Sequence, residues 1–229
     1  MFKQRSNKKE LLDANDIPDK DLYQNLKELD VINALLGGYS MTFKALGKVL
    51  KEHKHYTIVD IGSGGGDTLK QIFRWNQTKK YNLSLFGIDL KQTCINYSTT
   101  HNTVPEISFF CDDYKNMYNH QAKVDIIHAC LFCHHLTDKE IIELIQFAQT
   151  NKSTLIINDL ERNAFAYYSI KLLTHLFSKS YLVKNDAPLS VLRGFKTNEW
   201  KKLIKESGAK NYTIHYKWAF RHEVIIYAD

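Results

Sequence analysis

The chain has 229 residues, of which 44% are hydrophobic and 24% charged, a balance that excludes a disordered or fibrous protein and suits one large domain with an appendage. No run approaches the roughly 18 apolar residues of a membrane span, and the start, MFKQRSNKKELLD, is basic but lacks the apolar stretch of a secretory signal, so a cytoplasmic location is expected. The net charge of +6 comes from 31 basic against 25 acidic residues, scattered along the chain with denser groups at 3–9 and 201–205, which reads as solvated surface and not as a nucleic-acid interface.

In chain order, the first patterned segment is 21–51, where Leu22, Leu26, Leu29, Ile32, Leu35 and Leu36 recur at helical spacing until Gly37-Gly38 breaks the run. A β-branched strand follows at 56–61 and ends in the turn DIGSGGGD, then a helix at 67–78. Further strands are predicted at 83–89, 107–111, 124–130 and 154–159, with helices at 91–101 and 138–150 between them. Near-continuous apolar strands separated by helices imply a parallel sheet covered on both faces. Residues 160–195 interrupt the alternation with an aromatic-rich insertion containing Phe165, Tyr167, Tyr168, Phe177, Tyr181 and Phe195. The end predicts a helix at 198–207 and strands at 211–218 and 223–227. The joining AFRH is too short for a crossover helix, so those two strands should pair antiparallel.

The expected fold is therefore α/β: a Rossmann-like, doubly wound sheet of seven strands, mostly parallel with a late antiparallel hairpin. An N-terminal helical extension (1–54) would act as a lid on a domain at 55–229, whose insertion at 160–195 lies on the substrate side. Both additions attach near the carboxyl edge of the sheet, where open α/β folds bind ligands.

The turn after the first strand runs Asp60-x-Gly62-x-Gly64-x-Gly66, with Asp67 at the position where a dinucleotide fingerprint has its last glycine. A pyrophosphate at that helix start would meet a carboxylate, and no phosphate-binding GxxxxGK[ST] occurs. An acidic turn suits instead a ligand with a positive charge and no phosphate. Asp89 closes the second strand, where it can accept both hydroxyls of a ribose, and Asp112 and Asp113 close the third, where they can meet an adenine amino group. Any one of these acids could be a helix cap; in order, they outline an adenosine pocket.

These residues, together with VDIIHACLFCHHLTD, resemble the motifs of the class I S-adenosylmethionine (SAM)-dependent methyltransferases over the whole chain. LDVINALLGGYSMTF, INDLERNAFAYY, PLSVLRGF and WAFRHEVI are similar to the quinone-biosynthesis type and to the small-molecule methyltransferases associated with type III polyketide synthases, which implies secondary metabolism. The resemblance implies SAM as cofactor and S-adenosylhomocysteine as product. Asp60 would orient the methionine amino group, and Gly62, Ser63, Gly64 and Gly66 would let the backbone approach. Asp89 and Leu90 would flank the ribose, Asp112 and Asp113 the adenine, and Ala129, Cys130 and Leu131 the reactive methyl group.

The cysteines Cys94, Cys111, Cys130 and Cys133 are too few for a disulfide scaffold. CLFCH matches the CxxCH pattern of covalent haem, but it coincides with the end of the fourth strand. One cysteine pair is also short of a structural zinc site, so no metal is expected. His134 and His135, just past that strand, are candidate general bases, each with the blander alternative of capping or packing. Asp159, Arg162 and Arg193 could contact a substrate or pair with one another, and Tyr39, Tyr168 and Trp218 could wall a pocket for a flat acceptor.

The expected activity is methyl transfer to a small, aromatic phenol-, quinone- or polyketide-like acceptor, oxygen favoured over carbon. A catalytically silent SAM-binding module acting through a partner stays open. A nucleic-acid methyltransferase is disfavoured because the place after the fourth strand lacks its Asp/Asn-Pro-Pro-aromatic motif. The apolar face of 164–178 (Phe165, Tyr168, Leu172, Leu176), beside Lys171 and Lys179, would suit either a core helix or docking on a membrane, without stable insertion.

Overall fold

The computed structural model describes residues 2–14 and 16–228. The elements run α1 (Asp19–Leu35), α2 (Gly38–Val49), β1 (His55–Ile61), α3 (Asp67–Lys79), β2 (Asn82–Asp89), α4 (Gln92–His101), β3 (Ile107–Cys111), β4 (Ile126–Cys130), α5 (Asp138–Thr150), β5 (Thr154–Leu160), α6 (Ala164–Phe177), α7 (Tyr181–Arg193), α8 (Thr197–Ser207), β6 (Tyr212–Lys217) and β7 (Arg221–Ile226). One seven-stranded sheet has the order β3-β2-β1-β4-β5-β7-β6. Its first five strands pair in parallel, and β7 is antiparallel to both β5 and β6. The Rossmann-like sheet and its late hairpin are as expected.

Every residue of β1 except His55 is buried, the mark of a central strand covered on both faces. On one face Leu46 of α2 and Leu69 and Ile72 of α3 pack on Ile58, Ile126 and Ile156. On the other, Ile141 and Leu144 of α5 and Trp200 and Leu203 of α8 pack on Val59, Ile127 and Ile157. The interruption at Gly37-Gly38 separates α1 from α2, with Gly37 in the left-handed conformation at φ 74°.

Three local expectations shift. β4 starts at Ile126, two residues later than expected, and the Asp125 carboxylate accepts the Thr57 N–H at 3.0 Å. The hairpin turns at 218–220, so Arg221 and His222 belong to β7 and not to the connection. The basic N-terminal segment exposes Lys3, Lys8 and Lys9, as expected of a solvated surface, but it is bound to the rest of the chain and is not a free tail. Arg5 donates to the carbonyls of Arg193 and Leu136 and stacks 4.1 Å over the Phe195 ring. Ser6 N–H bonds Leu192 O, and the Leu11 and Leu12 N–H groups bond the Asp186 carboxylate. Residues 2–14 form a strap across the 160–195 insertion.

Within that insertion α6 packs on α7, and Phe165, Tyr168, Leu172 and Leu176 are exposed, so that face is not core. No helix of the described residues is long and apolar enough to cross a membrane. Arg162, a candidate substrate contact, is fully buried. Its guanidinium donates to both oxygens of Glu199, at 2.6 and 3.0 Å, and to the carbonyls of Gly194 and Phe2. It tethers strap, insertion and α8 together and lines neither cavity described below.

Arg162 is buried and Glu199 is 32% exposed, so removing the guanidinium leaves the Gly194 carbonyl without its donor and the Glu199 carboxylate only partly compensated by water. Arg162→Met is therefore expected to lower unfolding stability by about 3 kcal/mol in urea titration, while ligand affinities of the folded fraction stay within twofold; a large affinity loss without loss of stability would restore a substrate role.

Candidate active site

Two cavities open side by side at the carboxyl edge of the sheet. The first, about 410 Å³, lies where β1 parts from its neighbours β2 and β4. Its floor is the glycine turn. Gly62 sits at φ 63°, and a β-carbon there would lie 2.3 Å from the Phe132 ring, so this position tolerates no side chain. The Asp89 carboxylate accepts the Gly64 N–H on one oxygen and the Lys91 N–H on the other, each at 2.9 Å, which ties the first turn to the end of β2. Burial pushes the Asp89 carboxyl up, against the pull of those two N–H groups.

Asp60 is buried at the end of β1. Its Oδ1 lies 2.7 Å from Nδ1 of His128, whose Nε2 lies 3.1 Å from the Thr42 hydroxyl. Asp112 accepts from the Asp113 N–H and from Asn116 and lies 2.9 Å from His120 Nε2, which fixes its orientation at the rim.

Asp60, Gly62, Ser63, Gly64, Asp89, Leu90, Asp112, Asp113, Cys130 and Leu131 all line this cavity, as does Tyr39, expected at the acceptor. Gly66 and Ala129 do not. Ala129 is buried within β4, and Gly66 is in the left-handed conformation ahead of α3. Eight carboxylates line the cavity (Asp13, Asp30, Asp60, Asp67, Asp89, Asp112, Asp113 and Glu140) against two lysines, Lys91 and Lys115. The Ser63 hydroxyl is buried there without a hydrogen-bond partner among the described residues. A carboxylate-rich pocket with an unpaired hydroxyl and open glycine backbone fits a nucleoside carrying a positive charge.

The second cavity, about 290 Å³, is mostly apolar. Leu36 of α1's C-terminal turn, Phe165, Ile170 and Leu173 of α6, Val191 of α7, and Trp218 and Phe220 of the hairpin turn wall it. Phe220 adopts φ 58°, rare for a bulky side chain. The two cavities share Leu12, Leu29, Leu131 and His135. Leu131 at φ 53° ends β4, with its N–H on Asn158 O.

Polar residues on the second cavity include Glu10, His134, His135, Asp186 and Ser190, and the cationic Arg221 also lines it. His134 is buried, its Nδ1 2.7 Å from Asp159 Oδ1, and its N–H donates to Asp159 Oδ2. Burial works to raise the Asp159 carboxyl, but the His134 pair and two backbone N–H bonds hold it below the usual range. Asp159 thus stands behind His134 and does not reach the cavity. Arg193 also stands behind it, donating from Nε to His134 O and from Nη2 to His135 O. Tyr168 lies on the exposed side of α6, edge-on to Phe2, and of the three candidate aromatics only Trp218 lines this cavity.

Glu10, which the sequence does not single out, reaches the site from the strap. It is 4% exposed, bonds the Ser190 hydroxyl at 2.8 Å, and burial pushes its carboxyl up to about 7. Asp13, also missed, lies 3.0 Å from His135 Nδ1. Neither residue belongs to a periodic run. Cys130 and Cys133 take no part in this polar wall; burial pushes the Cys130 thiol up to about 12 and that of Cys133 well above its usual value.

Residues 58–178 match the family described as "Methyltransferase domain". The chain is 22% identical to the carboxy-S-adenosyl-L-methionine synthase of Desulfotalea psychrophila, over 93% of this chain and 94% of that one. Among solved structures, the plantazolicin methyltransferase BpumL with S-adenosylhomocysteine superposes with a TM-score of 0.57 at 18% identity, over 91% of this chain and 99% of that one. Human N-acetylserotonin methyltransferase with SAM gives a TM-score of 0.63 at 14% identity, over 92% of this chain and 56% of that one. The family match covers more than half the chain, on the fold and beside the acidic pocket just described, and the chain belongs to the methyltransferase-domain family, as a SAM-dependent methyltransferase.

Proposed function

We propose that the chain methylates a hydroxyl group of a small aromatic acceptor held in the second cavity, using SAM in the first and releasing S-adenosylhomocysteine. The observation that carries this reading is that the two cavities meet at Leu12, Leu29, Leu131 and His135. Bound in the first cavity, SAM supplies a methyl group on a positively charged sulfur. Asp89 would accept from the ribose hydroxyls, Asp112 and Asp113 would face the adenine, and Asp60, held by His128, would receive the methionine amino group.

Displacement at a methyl carbon needs the attacking atom, carbon and sulfur in line, so positioning and exclusion of water dominate the chain's contribution. The apolar walls supply both. Phe165, Trp218 and Phe220 suit a flat ring. Oxygen is favoured over carbon because Glu10, His134 and His135 border the cavity, a group able to take up a hydroxyl proton. Such assistance contributes roughly 10²–10⁴-fold in rate. The similar structures named for plantazolicin and N-acetylserotonin methylation support a small acceptor.

Calorimetry with S-adenosylhomocysteine tests the cofactor half. Micromolar binding is expected, weakened at least tenfold by Asp89→Ala, equivalent to about 1.4 kcal/mol; no binding would favour a silent module acting through a partner.

A screen of phenols, hydroxyquinones and polyketide-derived aromatics tests the acceptor half. Ala187→Trp, which fills the second cavity, is expected to abolish methyl transfer or raise the acceptor KM at least tenfold, with S-adenosylhomocysteine affinity unchanged. Unaltered turnover in that variant would move the acceptor elsewhere.

A further inference from the structure

We propose that Glu10, His134 and His135 form a binding site for a divalent transition-metal ion in the wall of the acceptor cavity. The three ligating atoms lie within 4.8 Å of one another. His134 Nε2 is 3.6 Å from Glu10 Oε1, and His135 Nε2 is 3.8 Å from Glu10 Oε2. Both separations are too long for hydrogen bonds and fall below the roughly 4.2 Å that separates opposite ligands of one ion at bond lengths of about 2.1 Å; they run to the two different oxygens of Glu10, so the groups draw together by a few tenths of an ångström when an ion binds. The imidazole rings lie 4.3 Å apart at 36° to each other.

The surroundings support the same assignment. Each histidine has its other nitrogen against a carboxylate, His134 Nδ1 on Asp159 at 2.7 Å and His135 Nδ1 on Asp13 at 3.0 Å. A carboxylate there holds the proton on Nδ1 and turns the Nε2 lone pair outward, the arrangement that orients imidazole ligands in metal sites. Neither Nε2 has a hydrogen-bond partner among the described residues. Four carboxylates gather here, Glu10, Asp13, Asp159 and Asp186. The nearest cation is Arg193, which lies 3.8 Å from Glu10 Oε1 and directs its donors to the carbonyls of Lys8, His134 and His135; Arg5 donates to the His134 and Leu136 carbonyls, and Arg221 lines the same cavity with its donors on Asn158 and Asn33. These guanidinium groups spend their donors largely on carbonyl and amide oxygens, so they leave the Glu10 carboxylate available to an ion.

Two imidazoles and one carboxylate form a set of intermediate hardness, suited to zinc, iron(II), cobalt(II) or manganese. Three protein ligands leave coordination positions open toward the cavity, the pattern of a catalytic and not a structural site. The inference rests on the acceptor reading above and deepens it. With its oxygen in an open position, the acceptor hydroxyl would release its proton to water. Its oxygen then bonds the methyl carbon as the carbon–sulfur bond breaks, the electron pair remaining on sulfur. A bound ion would lower the hydroxyl pKa, and Glu10, His134 and His135 would then serve as its ligands and not as the proton acceptors described above.

Equilibrium dialysis of the full chain against Zn²⁺ or Co²⁺, followed by elemental analysis, tests the site. One equivalent bound at roughly micromolar affinity or tighter is expected, with the intense visible absorption of four- or five-coordinate Co²⁺. Glu10→Gln and His134→Ala should each weaken binding at least tenfold, and Cys133→Ser should not. Circular dichroism of each variant separates ligand loss from unfolding, and if His134→Ala unfolds, Glu10→Gln and His135→Gln carry the test. No bound metal, or binding that survives in folded Glu10→Gln and His135→Gln, overturns the proposal. S-adenosylhomocysteine binding, measured in parallel, distinguishes that failure from a failure of the methyltransferase reading: intact cofactor binding without metal removes the ion alone.

Discussion

The site depends on one topological constraint: β1 lies between β2 and β4, and the helices leaving β1 and β4 go to opposite faces of the sheet. Because the chain must part there, the carboxyl ends of β1 and β4 leave a crevice that backbone cannot fill. The residues on its rim are consequences of that gap. Gly62 has no side chain because Phe132, from the other lip, already occupies the space. Asp89 is drawn from the next strand to hold the glycine turn by its N–H groups. Asp60 and His128, neighbours across β1 and β4, bond each other within the sheet, so a buried carboxylate points into the crevice with a fixed partner.

A second network makes the N-terminal helices part of the site. Arg221 of β7 donates to Asn158 of β5 and to Asn33 of α1, while Asn158 donates to the Gly38 carbonyl and the Thr42 hydroxyl of α2. Buried polar groups are costly when unmatched, so such a network favours one seating of α1 and α2 over sliding alternatives. That seating brings Leu29 to the wall of both cavities. The strap is fixed in the same manner on the opposite side, through Arg5, Arg162 and Asp186.

The sheet was legible because its signal is local. A strand such as 56–61 is apolar at nearly every position, and the acids closing strands one to three lie at fixed places in the alternation. The same locality made most of the first cavity readable, since Asp60, Gly62, Gly64, Asp89 and Asp112 each end or follow a strand. The second cavity was not legible in this way. Glu10 sits in a basic, unpatterned stretch, and contacts distant in sequence, among them those of Arg193, Asp186 and Ser190 with the strap, bring it to His134. Arg162 and Arg193 have the composition of substrate ligands. Their donors serve backbone carbonyls and Glu199, which is how a buried guanidinium is satisfied and which no spacing rule reveals.

The division of polarity between the cavities follows from what methyl transfer does to charge. The sulfonium is positive before transfer and neutral after it, so carboxylates close to sulfur would hold the ground state more tightly than the transition state and slow the reaction. An acidic pocket is therefore useful only where its charges meet parts of the ligand that do not change, the amino group and the nucleoside. Asp60, Asp89, Asp112 and Asp113 stand at the ends of β1, β2 and β3, whereas three of the four residues shared by the two cavities are leucines and the fourth is His135. Attraction of a cationic ligand and a weakly solvated reacting centre are opposed demands, and in the proposed function they are separated across the crevice, with Leu131 at its unusual backbone conformation between the two cavities.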